Sequence, residues 1–218
     1  MFNKEKKYFF TKRLLDIALA IILLIIFSPV CLTTAIAIKI DSPQGPILAD
    51  VPPRVGKKRK RFKIYKFRSM IPNAHQLLRE DPKFKKLYEE YKKNSYKLKK
   101  DPRITRVGAF IRKHSIDEIP QLINVLRGEM SVIGPRPYYF DELAEQQKKH
   151  PQTKKLIKQM LEVKPGITGL WQVSGRSDVD FEKRITLDAQ YAQRKNLLDD
   201  MIILLKSPWV VISGKGAS

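Results

Sequence analysis

The chain has 218 residues, with 43 Lys and Arg against 22 Asp and Glu, a formal charge of +21. That length holds one domain with a real core plus a small appendage, and the charge points to an anionic partner such as nucleic acid, phospholipid headgroups or a phosphorylated substrate. A single cysteine, Cys31, excludes a disulfide framework and makes a reducing compartment the default.

From Ile17 to Ile38 the chain reads "IALAIILLIIFSPVCLTTAIAI", 22 residues without a charge. As a straight helix this run would reach about 33 Å, enough to span a hydrocarbon core. It exceeds the usual apolar stretch of a signal peptide, about 7–15 residues, and no small-residue cleavage site follows it. A buried soluble helix is seldom this long and apolar on every face. Lys4, Lys6, Lys7, Lys12 and Arg13 precede the run, and Lys39, Arg54 and the basic residues 57–61 follow it. Both flanks therefore carry the bias of cytoplasmic loops. In mid-run, Pro29 removes a backbone donor, so the pair Ser28-Pro29 favours a kink. These features predict a helix that enters the membrane, bends at Ser28-Pro29 and returns to the same face, with Asp16 at headgroup level. A kinked span with its ends on opposite sides is the alternative.

The turn-rich "DSPQGP" (41–46) marks a boundary. It divides a re-entrant membrane helix, residues 1–46, from a cytoplasmic, membrane-associated domain, residues 47–218. In that domain "ILAD" and "RFKIYKFRSM" are short extended pieces, with Phe62, Ile64 and Phe67 near strand spacing. Between them "VPPRVGKKRK" reads as a basic hairpin connection. Phe84, Leu87, Tyr88 and Tyr91 recur at helical spacing on a basic amphipathic helix, suited either to a membrane interface or to packing on the core. A further helix is predicted in "PQLINVLRG", with Pro120 in its first turn and Gly128 as its stop. "SVIGPRPYY" is a stiffened loop, 138–161 is helical with a break at His150-Pro151, and 163–177 is a glycine-rich loop. A helix through "FEKRITLDAQYAQ" and an apolar tail, "MIILLKSPWVVI", end the chain. The fold class is α+β: mostly helical, with a short β-hairpin, the re-entrant helix and interfacial amphipathic helices.

Within "IRKHSIDEIPQL" the acids Asp117 and Glu118 stand beside Arg112, Lys113 and His114. Ser115 followed by Glu118 fits a capping box, and acids suit a first helical turn. Pro120 weakens that reading, since it would remove a wanted donor at the fifth helical position. If the helix starts at Pro120, the acids stand at its mouth, where backbone N–H groups and Arg112 would also attract phosphate. An ionised Asp is a competent nucleophile toward phosphorus when cations shield the repulsion between two anions. By spacing alone, capping and chemistry both remain open.

The apolar run with Ser28-Pro29, "YKFRSM", "DPRITRVGAFIRKHSIDEIPQLINVLRGEMSVIGPRP" and "PGITGLWQVSGRS" together resemble the bacterial sugar transferases that prime surface-polysaccharide synthesis, the monotopic phosphoglycosyl transferases. The resemblance runs from about Lys12 to the terminal "GKGA". It departs from the family at "ADVPPRVG", which lies outside the acidic loop. It implies that Asp117 attacks the β-phosphate of a UDP-sugar, expels UMP and holds a phosphosugar that polyprenol (undecaprenyl) phosphate then takes. It further implies that Glu118 helps hold Mg²⁺ with Asp117 or assists proton transfer. Arg112, on the same loop, is the candidate phosphate ligand, with a plainer reading as an ion pair to Glu118. Arg136, fixed between Pro135 and Pro137, resembles the family's nucleotide-sugar contact. Lys66, Arg68 and Arg176 are further candidates for binding substrate, each with a plainer reading as a headgroup contact or solvated charge. Trp171 reads as a packing anchor more than a base-stacking platform. His75, His114 and His150 have no metal-ligand spacing.

The implied location is the cytoplasmic face of the bacterial inner membrane, with UDP-sugar, polyprenol phosphate and anionic lipid as partners. A second copy of the chain and downstream glycosyltransferases are the candidate protein partners. The competing classes are a membrane-anchored nucleic-acid-binding protein and a non-catalytic adaptor of polysaccharide assembly. The first has the charge, but no helix-turn-helix, RNP-like or zinc-ligand pattern, so no nucleic acid is expected.

Overall fold

The computed structural model describes residues 2–93, 98, 100–175 and 179–212. Its first element, α1 (Phe2–Asp41), is a 40-residue helix with Pro29 inside it. Pro29 cannot supply the N–H that would reach the Ile25 carbonyl. The Ser28 hydroxyl donates to that carbonyl instead, at 2.8 Å, and the helix runs on through the pair. In the most apolar 18-residue window of α1 only 11% is buried, too little for a core helix. Ile21, Ile22, Ile25, Ile26, Phe27 and Leu32 are all exposed.

Both ends of this helix are nevertheless tied to the domain that follows. Asp16 is buried, and its Oδ1 accepts from the Ser131 hydroxyl and the Val132 N–H, each at 3.0 Å. At the far end Asp41 accepts the Val107 N–H at 3.1 Å, capping the start of α4 (Arg106–Lys113) together with the side chain of Thr105. One turn before Asp16, Arg13 donates to the carbonyls of Val125 and Leu126 at the C-terminus of α5 (Gln121–Leu126), where orphan acceptors and the helix dipole favour a cation.

The predicted hairpin is present as β1 (Arg54–Val55) and β2 (Arg61–Phe62), antiparallel with Val55 opposite Arg61. The helical stripe of Phe84, Leu87, Tyr88 and Tyr91 is half-buried on the domain, the last three in α3 (Lys85–Lys93). The break at His150-Pro151 separates α6 (Phe140–Lys149) from α7 (Lys154–Met160). The loop expected over 163–177 instead contains a strand, β4 (Gly166–Thr168), and a short helix, α8 (Leu170–Val173). β4 pairs in parallel with β3 (Ser131–Ile133), itself part of an expected loop, in the register Ser131 with Gly166 and Ile133 with Thr168. Parallel pairing between distant segments leaves little local signal, because its crossover is long. The apolar tail is helix α10 (Leu197–Ile212), preceded by α9 (Phe181–Arg194).

One core joins Ala20 of α1, Phe62, Ile64, Leu122, Val132 and Ile203. A second gathers Val55, Tyr138, Leu143, Ile157 and Phe181. Asn124 sits inside the first, fully buried. Its Oδ1 accepts the Tyr65 N–H at 2.9 Å, and its Nδ2 donates to the Lys63 carbonyl and to Glu129, both at 2.7 Å. It therefore sets the 63–65 segment, and with it Lys66, against α5. Asn124→Leu leaves two backbone groups unpaired and should lower stability by about 2–4 kcal/mol. A thermal midpoint unchanged from wild type would show that the segment is held elsewhere.

Candidate active site

Asp117 and Glu118 lie in a single 3-10 turn, Ile116–Glu118, between α4 and α5. The chain enters it through Ser115, which has φ +56°, and the Ser115 side chain caps nothing. The capping-box reading is thereby overturned: Ser115 is left-handed rather than extended, the usual backbone of a capping residue, and its hydroxyl makes no cap hydrogen bond. Pro120 instead precedes α5 with helical backbone angles, and Gly128 stops it at φ +77°.

Asp117 is only 4% exposed. Its Oδ2 lies 2.8 Å from Lys66 Nζ, and its carbonyl accepts the Phe67 N–H at 2.9 Å. The extended chain at Lys66 is thus zipped to the acidic turn by main chain and side chain together. The ion pair offsets the cost of burying the carboxylate. Phe67 also packs on Ile38 of α1 and Ile111 of α4, which places the nucleophile candidate beside the C-terminal part of the apolar helix.

Glu118 bears on the loop after β3. It and Glu142 act electrostatically on Arg136. Burial works against the Arg136 charge, and these acids outweigh it, so its pKa is held above the ordinary arginine value. Arg136 is stiffly presented, as the sequence suggested, with its backbone N–H donated to Asp188 at 3.2 Å. The loop that carries it meets the β4 loop closely: a Cβ on Gly166 would lie 2.0 Å from the Gly134 nitrogen.

The other candidates fall differently. Arg68 is buried, and its guanidinium donates to the carbonyls of Ser42 and Gln44, which fasten the chain just after α1 rather than face the dyad. Arg112, half-buried in the last turn of α4, acts on Asp101. Arg176 lies outside the described residues. Sequence reasoning missed Arg54 and His75. Arg54 donates to the Pro137 carbonyl at 3.3 Å and lies 3.3 Å above the Tyr139 ring. His75 Nε2 is 3.5 Å from the Tyr139 hydroxyl. Neither carries a local motif, since each acquires meaning from contact with the "PRPYY" loop.

Asp117 and Glu118 also bear on the implied metal. Among the described residues no group of three His, Cys, Asp or Glu could hold a metal ion by itself. Mg²⁺ commonly needs only one or two carboxylates plus substrate phosphates and water, and the adjacent acids supply a donor set of that kind.

Desolvation lowers the His75 pKa from 6.5 to about 4, and Arg54, Arg103, Arg79 and Lys66 push the same way. Between those values the unfolded chain takes up a proton that the folded chain refuses, so stability should fall as pH drops through that window. Comparing thermal midpoints of wild type and His75→Gln from pH 7 to about 4 isolates the effect. Parallel curves would remove His75 from the acid response.

The profile of the family described as "Bacterial sugar transferase" matches residues 7–214. An undecaprenyl-phosphate galactose phosphotransferase of Salmonella typhimurium is 44% identical over 212 residues, 95% of this chain and 42% of that protein. The exopolysaccharide production protein ExoY of Sinorhizobium fredii is 39% identical over 208 residues, covering 95% of this chain and 88% of its own length. A UDP-N-acetylgalactosamine-undecaprenyl-phosphate N-acetylgalactosaminephosphotransferase of Aeromonas hydrophila is 38% identical over 213 residues, 96% of this chain and 45% of that protein. The chain thus spans less than half of several longer relatives and most of ExoY. By the extent of these matches, the chain belongs to the bacterial sugar transferase family.

Proposed function

We propose that this chain transfers a sugar-1-phosphate from a UDP-sugar to undecaprenyl phosphate and releases UMP, in the first membrane step of a surface glycan. The observation that carries the reading is the buried Asp117 carboxylate, paired at 2.8 Å with Lys66 on a segment whose Phe67 packs against Ile38 of the apolar helix. The names of the Salmonella and Aeromonas relatives supply the acceptor, and that of the Aeromonas protein supplies a UDP-sugar donor.

In this mechanism a carboxylate oxygen of Asp117 attacks the β-phosphorus. The bond from that phosphorus to the bridging oxygen breaks, and UMP leaves with the electron pair. The phosphosugar is then an acyl-phosphate on Asp117. A phosphate oxygen of the polyprenyl acceptor attacks the same phosphorus, and the aspartyl oxygen departs, restoring the carboxylate. Lys66, freed from the carboxylate during the first step, is positioned to hold a phosphoryl oxygen. Arg136 orients the donor from the loop after β3. Mg²⁺ held by Asp117 and Glu118 would shield the repulsion between carboxylate and diphosphate.

The active site would face the cytoplasm, with α1 as a re-entrant helix. Hydrogen bonds that Asp16 and Asp41 accept from one domain support this topology, because a simple span would put those residues on opposite sides of the membrane. The Ser28 hydroxyl relieves the carbonyl that Pro29 leaves free, which makes a bend there tolerable in lipid. On α10 the side chains of Leu198, Met201, Ile202, Leu205 and Trp209 form an exposed helical stripe suited to the interface. The basic hairpin around Lys57–Arg59 would meet anionic headgroups.

Asp117→Asn should abolish turnover while leaving the fold intact. With UDP-sugar and Mg²⁺ but no acceptor, wild type should accumulate a hydroxylamine-labile phosphosugar on Asp117. That adduct should be missing from the variant and from samples with excess chelator. A well-folded, fully active Asp117→Asn protein would end the covalent mechanism. Cysteines placed at Asn3 and at Lys57, in a Cys31→Ser background, should be labelled from the same side of the membrane. Labelling from opposite sides would replace the re-entrant helix by a span.

A further inference from the structure

Near the start of α1 four half-buried cations gather, Arg13, Lys57, Lys164 and Lys195. Arg13 donates to the carbonyls that end α5, and both its terminal nitrogens are held by those bonds. A Cβ built on Gly128, just past that helix, would lie 3.5 Å from Lys164 Nζ and 3.6 Å from Arg13 Nη2. The two cations therefore flank one spot that carries no side chain. Gly128 has φ +77°, a backbone that other residues seldom adopt, which keeps the spot open. Lys57 acts electrostatically on Lys164, and the ammonium groups of Lys57 and Lys195 lie 4.8 and 5.6 Å from the Phe9 ring.

The acids nearby already have partners. Asp16 accepts from Ser131 and Val132, Glu5 pairs with Lys195, and Glu129 pairs with Arg127 and accepts from Asn124. Among the described residues neither Arg13 nor Lys164 has a carboxylate in ion-pair contact, and Lys164 Nζ donates no hydrogen bond. Burial, Arg13 and Lys57 hold the Lys164 pKa below the ordinary lysine value, and the pull of Asp16 does not compensate. Like charges held together and partly out of water are unfavourable until an anion joins them. Fixed, half-buried cations around an open spot match a phosphate group.

The position of the spot selects the source of that phosphate. Arg13 stands four residues before the uncharged run begins at Ile17, about 6 Å along the helix, and Leu14 and Leu15 between them are exposed. With the run in a bilayer, Arg13 lies in the headgroup layer. Asp117 precedes α5 and Gly128 follows it, so the reacting carboxylate and this spot stand at opposite ends of a helix about 9 Å long. We propose that Arg13 and Lys164, backed by Lys57, bind the phosphate of one anionic bilayer lipid at Gly128, apart from the reaction centre, and so set the depth at which the domain docks. The lipid as the source rests on α1 lying in the membrane, whereas the anion site does not.

The detergent-solubilised full chain is titrated at low ionic strength with dioctanoyl phosphatidylglycerol, dioctanoylglycerol or inorganic phosphate, and its thermal midpoint is followed. Phosphatidylglycerol should raise the midpoint saturably, dioctanoylglycerol should not, and inorganic phosphate should need at least about tenfold more. Lys164→Gln should weaken phosphatidylglycerol about tenfold, the scale of one charge-assisted hydrogen bond. Lys60→Gln, which removes the same charge from the exposed hairpin, should bind as wild type does. Without lipid, Lys164→Gln should melt no lower than wild type, because it relieves repulsion among Arg13, Lys57 and Lys164. A lower midpoint would make Lys164 a structural residue. Should Lys164→Gln fail to fold, Lys164→Met keeps the apolar stem and serves the same comparison.

Equal losses in the Lys164 and Lys60 variants would overturn the site and leave a diffuse field. Inorganic phosphate as effective as phosphatidylglycerol, with both lost in Lys164→Gln, would keep the anion site and overturn the lipid as its source. A rise in the acceptor KM matching the lost lipid affinity would make this an acceptor subsite and overturn its separation from Asp117. If the labelled cysteines place α1 outside the bilayer while phosphate still acts through Lys164, the membrane reading fails and the anion site stands.

Discussion

Asp16 and Asp41 stand near the two ends of one long apolar helix, and each carboxylate accepts a backbone N–H from the domain that follows. Much of the remaining architecture depends on that constraint. Val132 belongs to a strand whose other edge faces β4, so Asp16 accepts the N–H that the carbonyl of another strand would otherwise take. Asp41 satisfies the first turn of α4, the helix that leads into the acidic turn. The domain therefore cannot swing freely from its apolar helix. Its site is held at a fixed height beside that helix, a useful arrangement if one substrate is dissolved in lipid and the other in water.

The strongly basic chain places several of its acids with care. Asp117 meets Lys66, Asp101 meets Arg103, and Asp200 accepts from Lys12, Tyr8 and Tyr191. Each pairing removes a carboxylate from water where a cation or hydroxyl is already in place, which limits the desolvation cost. Asp200 also links the start of α1 to α9 and α10, so the polar network that secures the membrane element shares α9 with Asp188, which accepts the Arg136 N–H.

Around Arg136, the close approach of Gly134 and Gly166 sets the geometry. Without side chains at these positions the "GPRP" and "PGITG" loops come into backbone contact, which brings Arg136 over Trp171 and toward Glu118. The proline on either side of Arg136 limits how far the loop can relax.

Local chemistry made much of this protein legible in its sequence. The uncharged run, its doubly basic flanks, the Ser-Pro pair, the hairpin, the break at His150-Pro151 and the acidic pair all announce themselves through composition or short spacing. Lys66 and Arg136 were singled out as candidates there too, although the resemblance to a family directed attention to them. Three things were decided only by tertiary structure. The β3–β4 pair is a parallel match between segments some thirty residues apart in sequence, and short parallel strands carry little periodic signal. Ser115 looked like a cap, but its left-handed backbone makes it a turn residue that reverses the chain between α4 and the acidic turn. Arg68 and Arg184 are alike in sequence as single arginines in mixed polar surroundings. Only the fold puts one on the carbonyls that follow α1 and the other against the Trp171 ring, because burial and hydrogen-bond partners arise between elements rather than within them.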